Sequence, residues 1–207
     1  MPQPVSFASK PNLTGPTVSL RPFTAADVDA MHTMLRDPHV RRLTGSVHDE
    51  TAALEAEDSF ELDRLRQWYL TRVDQPDRLD LAIIDAATGE CVGEVVLNQW
   101  DPGNQSCNFR ILLGPAGQDR GFGTEATRLI VGYGFESLLL HRISLEVYTF
   151  NPRARHVYEK VGFRAEGTRR EAFRYEGTWI DAILMSILAP EWATHRGHPN
   201  SCRHTEH

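Results

Sequence analysis

The chain has only three cysteines in 207 residues, an odd and small number that supplies no disulfide framework. Cys91 and Cys107 are expected at opposite ends of one β-hairpin, too far apart to bridge. A reducing cytoplasm is the expected setting. No apolar run approaches the roughly 20 residues a membrane helix requires. The opening Met1-Pro2-Gln3-Pro4-Val5 has neither the charged nor the apolar region of a secretory signal, so no membrane role is expected. An excess of positive charge is also missing. Lys and Arg number 22 against 28 Asp and Glu, a net charge of −6, which argues against a nucleic-acid partner and mildly for a cationic one. Internal repeats and a second-domain linker are absent. His195, His198, Cys202, His204 and His207 gather in a polar tail without closed ligand spacing, so no metal is expected.

What is present fits one soluble domain with a sizeable core: 41% of residues are hydrophobic and 24% charged, both ordinary for a globular chain. Residues 1–16 hold four prolines and no periodicity and read as a flexible arm, 17–190 as the domain, and 191–207 as a disordered tail. Thr17 to Phe23 alternates as a first strand. Thr24 reads as the N-cap of a helix over Ala25–Asp37, and a second helix is expected from Glu50 to Arg72. The first half of that helix is acidic (Glu50, Glu55, Glu57, Asp58, Glu61, Asp63), which is either a solvated face or a wall that attracts a cationic substrate. Leu79–Asp85, Glu90–Trp100 and Ser106–Leu113 form an antiparallel meander through turns at Thr88-Gly89 and Asp101-Pro102-Gly103-Asn104.

The stretch that organises the rest is Gln118-Asp119-Arg120-Gly121-Phe122-Gly123-Thr124-Glu125-Ala126. It lies between a strand and a helix that continues to about Leu140. Two glycines one residue apart permit a sharp turn, and the helix behind them adds unpaired N–H groups and a positive dipole end. That combination holds anions, most naturally a pyrophosphate. After the next strand (Arg142–Tyr148), which a right-handed crossover makes parallel to Ser106–Leu113, comes Asn151-Pro152-Arg153-Ala154-Arg155-His156-Val157-Tyr158-Glu159-Lys160-Val161-Gly162-Phe163. Asn at the N-cap, Pro at N1 and Gly just past the end define a short helix. Arg164–Glu171 and Thr178–Leu188 close the fold as a hairpin around Glu176-Gly177.

Over roughly residues 17–190 these features resemble the GNAT superfamily of N-acetyltransferases. The marks are Gln118-x-x-Gly121-x-Gly123 and Asn151-x-x-Ala154-x-x-x-Tyr158-Glu159-Lys160-x-Gly162-Phe163. Gly123-Thr124-Glu125-Ala126, His141-Arg142 and Trp179-Ile180-Asp181-Ala182-Ile183-Leu184 resemble its RimJ/RimL branch. The resemblance implies an α/β fold whose mixed, mostly antiparallel sheet splays at one parallel strand pair, with helices on both faces. It implies acetyl-CoA as cosubstrate and no metal. Backbone groups of Ile111, Leu112 and Leu113 would pair with the pantetheine arm. The N–H groups of Arg120, Gly121, Phe122, Gly123 and Thr124, behind Gln118, would hold the pyrophosphate. Asn151 would offer its amide to the pantetheine, and Arg120 and Arg155 would touch phosphates. Family members often pair through exposed edges, so a homodimer is compatible with the likeness.

Acetyl transfer to an amine needs a neutral amine, a stabilised oxyanion and a proton for the departing thiolate. Tyr158 lies one helical turn from Ala154 and two from Asn151, on one face, and a phenol of pKa about 10 stays protonated at neutral pH. It is the expected general acid, where a packed core tyrosine is the plain alternative. Two departures stand out: Ala154 where the family often has serine, and Asn108 where relatives often carry an acidic residue. Glu94, one strand earlier, is the substitute base, acting through water, where a solvent-facing strand glutamate is the plain alternative. A lysine-like amine costs roughly 4.6 kcal/mol to deprotonate at pH 7 and an α-amine about 1. A weak base therefore leans toward a peptide or protein N-terminus. A small polyamine or aminoglycoside, or a quiet acyl-CoA-binding module, are the other readings.

Overall fold

The computed structural model describes residues 7–54 and 60–195, with Phe60 and Glu61 described in backbone only. Eight strands form one sheet: β1 (Leu13–Thr14), β2 (Val18–Arg21), β3 (Leu79–Asp85), β4 (Cys91–Asp101), β5 (Ser106–Leu113), β6 (Arg142–Tyr148), β7 (Arg164–Tyr175) and β8 (Thr178–Leu188), in the spatial order β1-β2-β3-β4-β5-β6-β8-β7. Neighbours run antiparallel except β5 and β6, which are parallel. The helices are α1 (Val28–Arg36), α2 (Pro38–Leu43), α3 (Glu50–Leu54), α4 (Phe60–Leu70), α5 (Phe122–Glu136), α6 (Pro152–Val161) and α7 (Ala189–His195). Alternation along the strands sorts the side chains onto two faces. Leu97, Phe109, Ile143 and Leu145 pack on one face with α5 and α6, and Leu112 packs on the other with Val28, Met31, Val40 and Tyr69 from α1, α2 and α4. The mixed, mostly antiparallel sheet with one parallel pair and helices on both faces is the architecture the sequence implies.

Several boundaries differ from expectation. The first helix begins with a 3₁₀ turn at Ala25–Asp27, where the Asp27 carboxylate accepts from Thr24 N–H at 2.8 Å. α2 was not expected; Pro38 sits at its N1 position and the Asp37 carboxylate caps it. Of the helix expected over Glu50–Arg72, α3 and α4 are described, and Glu55, Glu57 and Asp58 lie outside the described residues. α5 ends at Glu136 instead of near Leu140, because the chain turns at Leu139 with φ +51°. β7 runs on to Tyr175. Within the segment read as an arm, Phe7 is fully buried edge-on to Trp100, and the Lys10 ammonium donates to the carbonyls of Gln75 and Arg78 at 2.6 Å each. The His and Cys residues of the tail beyond residue 195 fall outside the described chain. Among the described residues no helix is long and apolar enough to cross a membrane, and no cluster of metal-ligating side chains occurs.

Candidate active site

The site begins where β5 and β6 separate. Their parallel register runs Ser106↔Arg142, Cys107↔Ile143, Asn108↔Ser144 and then stops, although both strands continue to Leu113 and Tyr148. Gly114 N–H donates to the Val92 carbonyl at 3.0 Å, which sets the phase of the β4–β5 ladder. In an antiparallel pair, alternate residues exchange both bonds with the partner strand. Leu112 and Arg110, opposite Glu94 and Val96, therefore direct their backbone groups to β4, whereas Ile111 and Leu113 direct theirs into the gap. Of the three β5 residues expected to pair with a pantetheine arm, Leu112 contributes lining and not backbone bonds. The Leu113 carbonyl already accepts from Gln118 Nε2 at 3.2 Å.

At the end of this gap Gly121 forms the N-cap of α5 with φ +81°, a left-handed conformation that glycine adopts at little cost. Asp119 (φ +58°) precedes it. The N–H groups of Thr124 and Glu125 donate to the Gly121 carbonyl. Those of Arg120, Gly121, Phe122 and Gly123 have no partner among the described residues. A cluster of four orphan donors at the positive end of a 15-residue helix fits a pyrophosphate. Of the expected set, Thr124 has its N–H engaged within the helix turn and borders the cavity with its side of α5. Neither arginine expected at the phosphates is among the residues lining the cavity. Arg120 pairs with the buried Asp85 at 2.7 Å and lies over the Phe122 ring, which is itself core, and Arg155 pairs with Glu159 at 2.8 Å. Arg153, which sequence reasoning passed over, lines the cavity instead, held by Asp119 at 3.1 Å and Gln118 Oε1 at 3.3 Å.

A cavity of about 410 Å³ runs through the gap. From the α5–α6 side it is lined by Gly121, Gly123, Thr124, Asn151, Ala154 and Tyr158, and from the α1–α2 side by Val40, Leu43, Glu94, Arg110, Glu146 and Tyr148. Asn151 caps α6, its Oδ1 accepting from Ala154 N–H at 3.1 Å, so the side-chain NH₂ is left for a ligand. Gly162 closes the helix at φ +110°. Tyr158 is buried against Phe109 and Phe163, with ring centroids 6.1 and 6.0 Å away. Its hydroxyl has no hydrogen-bond partner among the described residues, and burial raises its pKa above the ordinary phenol value. It is a protonated phenol bordering the cavity.

On the opposite wall Glu94 accepts a hydrogen bond from the Tyr69 hydroxyl at 3.1 Å. Burial, then the like charge of Asp80, pushes its pKa up to about 6, against the favourable charge of Arg110 and the Tyr69 bond. Asp80 is itself held in a bidentate pair by Arg78. Asn108 bonds Asn98 across the strand pair at 3.0 Å and cannot accept a proton. The cavity therefore joins an anion cradle, an unpaired strand edge, a protonated phenol and a carboxylate that ionises near neutrality. That set serves acyl transfer to a nucleophile that must lose a proton.

Comparison with known proteins gives the same answer. The acetyltransferase (GNAT) domain matches residues 17–164. The Bacillus subtilis (strain 168) protein "Probable N-acetyltransferase YjcK" is 28% identical over 183 residues, spanning 86% of this chain and 98% of that one. The spermidine N(1)-acetyltransferase of Escherichia coli (strain K12) is 31% identical over 116 residues, 56% of this chain and 62% of that protein. Among solved structures, spermidine N-acetyltransferase from Vibrio cholerae in complex with CoA and spermine superimposes with a TM-score of 0.74 at 24% identity, over 86% of this chain and 99% of that one. The chain belongs to the GNAT acetyltransferases and is an acetyl-CoA-dependent N-acetyltransferase.

Proposed function

We propose that the acceptor is an α-amino group at a peptide or protein N-terminus, with Glu94 as base and Tyr158 as acid, in keeping with the RimJ/RimL-like motifs. The observation that carries this reading is the Glu94 carboxylate on the cavity wall with its pKa near 6. Transfer of a proton to such a base from an α-ammonium of pKa about 7.8 is uphill by about 2.5 kcal/mol, and from a lysine-like ammonium of pKa about 10.4 by about 6. Glu94, directly or through one water, takes a proton from the ammonium. The neutral nitrogen attacks the thioester carbon, the C–S bond breaks, and Tyr158 protonates the thiolate; the amine's remaining excess proton restores the phenol through solvent. The products are an amide and the free thiol. The N–H groups of Arg120 to Gly123, with Arg153, would hold the pyrophosphate, and Ile111 and Leu113 would pair with the pantetheine arm as an added strand.

A small polyamine is the second reading. Glu94 and Glu146 both line the cavity, and the similar Escherichia coli protein is named a spermidine acetyltransferase. Thiol release with acetyl-CoA and matched peptides and polyamines at pH 7 separates the two. Faster turnover of peptides supports the α-amine. Turnover of polyamines alone, rising only above about pH 8, overturns it.

A further inference from the structure

Side-chain alternation places Asp80 (β3), Glu94 (β4) and Arg110 (β5) on the sheet face toward α1 and α2, with Glu94 diagonal to each of the other two, because Asp80 and Arg110 both lie opposite Val96 and Glu94 lies opposite Ala82 and Leu112. Asp80 is taken by Arg78. Glu146, on the β6 side of the gap, is taken by Arg169. Arg110 is exposed and lines the cavity, and its guanidinium makes no hydrogen bond or ion pair with any described residue. The acceptor half of the cavity thus contains one unengaged guanidinium next to the carboxylate that serves as base. A guanidinium presents a planar fork of donors suited to a carboxylate.

Resting on the reading of Glu94 as the base, we propose that Arg110 is an anion subsite for the acceptor, so that the preferred substrate is an amine carrying a carboxylate. Diagonal neighbours across a strand pair are about 7–8 Å apart. An amine at Glu94 then meets Arg110 with a group one to two residue lengths away, at about 3.5 Å per residue. The α-carboxylate of a free amino acid and an acidic side chain at the second position of a peptide both supply it. A linear polyamine supplies none and brings a cation to Arg110.

The test compares kcat/KM for peptides with Glu or Gln at the second position, a free amino acid and its amide, and spermidine, for the wild type and Arg110→Met. Assays run at about pH 8.5, where Glu94 is ionised whether or not Arg110 is present. The wild type is expected to favour the acidic member of a pair by about tenfold or more, the scale of a charge-assisted hydrogen bond, and the pair that responds identifies the carboxylate's source. In Arg110→Met the ratio falls toward one, and in Arg110→Glu a peptide with Lys at the second position overtakes the Glu peptide. Equal rates on acidic and amide acceptors in the wild type, or a ratio unchanged in Arg110→Met, overturn the subsite; Arg110 then only stabilises the Glu94 charge. Absence of transfer to every amine, with acetyl-CoA bound, defeats the underlying reading instead.

Discussion

The Tyr69 hydroxyl donates a hydrogen bond to Glu94 Oε2 across 3.1 Å, tying α4 to the centre of the sheet at the cavity wall. The bond favours the ionised carboxylate, opposing the burial and the Asp80 charge that raise its pKa. Tyr69→Phe is therefore expected to raise the acidic limb of the kcat/KM–pH profile by about one unit, the equivalent of 1.4 kcal/mol. A profile unmoved by this substitution shows that the bond does not set the base's ionisation.

Glu94 also imposes a cost on the fold. Its folded pKa, about 6, lies above the ordinary value of 4.5, so the ionised form is less favourable in the native state than in the unfolded one. The penalty is absent below about pH 4.5, grows as pH rises, and is complete above about pH 6. Glu94→Gln keeps an acceptor for Tyr69 and is expected to raise Tm at pH 8 while leaving it close to wild type at pH 4.5. An equal Tm difference at both pH values contradicts the assignment.

Tyr158→Phe is expected to lower kcat by tenfold or more with little change in acetyl-CoA affinity. Because burial raises the phenol's pKa, the wild-type profile should have no descending limb from this group up to about pH 10. Unchanged turnover in the variant returns Tyr158 to a packing role against Phe109 and Phe163.

The arginines divide by what they hold. Arg153→Ala should raise the KM for acetyl-CoA several-fold at unchanged Tm. Arg120→Ala should instead lower Tm, because Asp85 loses its counter-ion. Gly121→Ala meets no atom within 4 Å but must keep φ +81°, a strain of about 1–2 kcal/mol, and is expected to weaken acetyl-CoA binding. Titration calorimetry and thermal melts separate these outcomes.

Much of this was legible in the sequence where the signal is local. The Asn151 cap, Pro152 and Gly162 mark both ends of α6, and alternation marks β3 to β6 and β8. The glycine pair marks the N-terminus of α5. What could not be read depends on partners distant in the chain. Arg120 and Arg153 are alike in sequence, and only folding brings Asp85 to the first and Asp119 to the second, whereas Arg155 and Glu159 are a local pair four residues apart on α6. Tyr69 is 25 residues from Glu94, so nothing local connects them. α2 has six residues, too few for a helical period to stand out. The backbone phase that selects Ile111 and Leu113 over Leu112 is a property of strand register, which no single strand carries.

The central claim is that Glu94 accepts the acceptor's proton, and the most direct measurement is kcat/KM against pH for wild type and Glu94→Gln on a peptide with a free N-terminus. The wild type should show two ascending steps, one near pH 6 from Glu94 and one near the amine's own pKa of about 7.8. Glu94→Gln should lose the lower step and fall by about 10²-fold at pH 7, recovering in part as the amine deprotonates unaided. Superimposable profiles contradict the account, because the proton then leaves without Glu94.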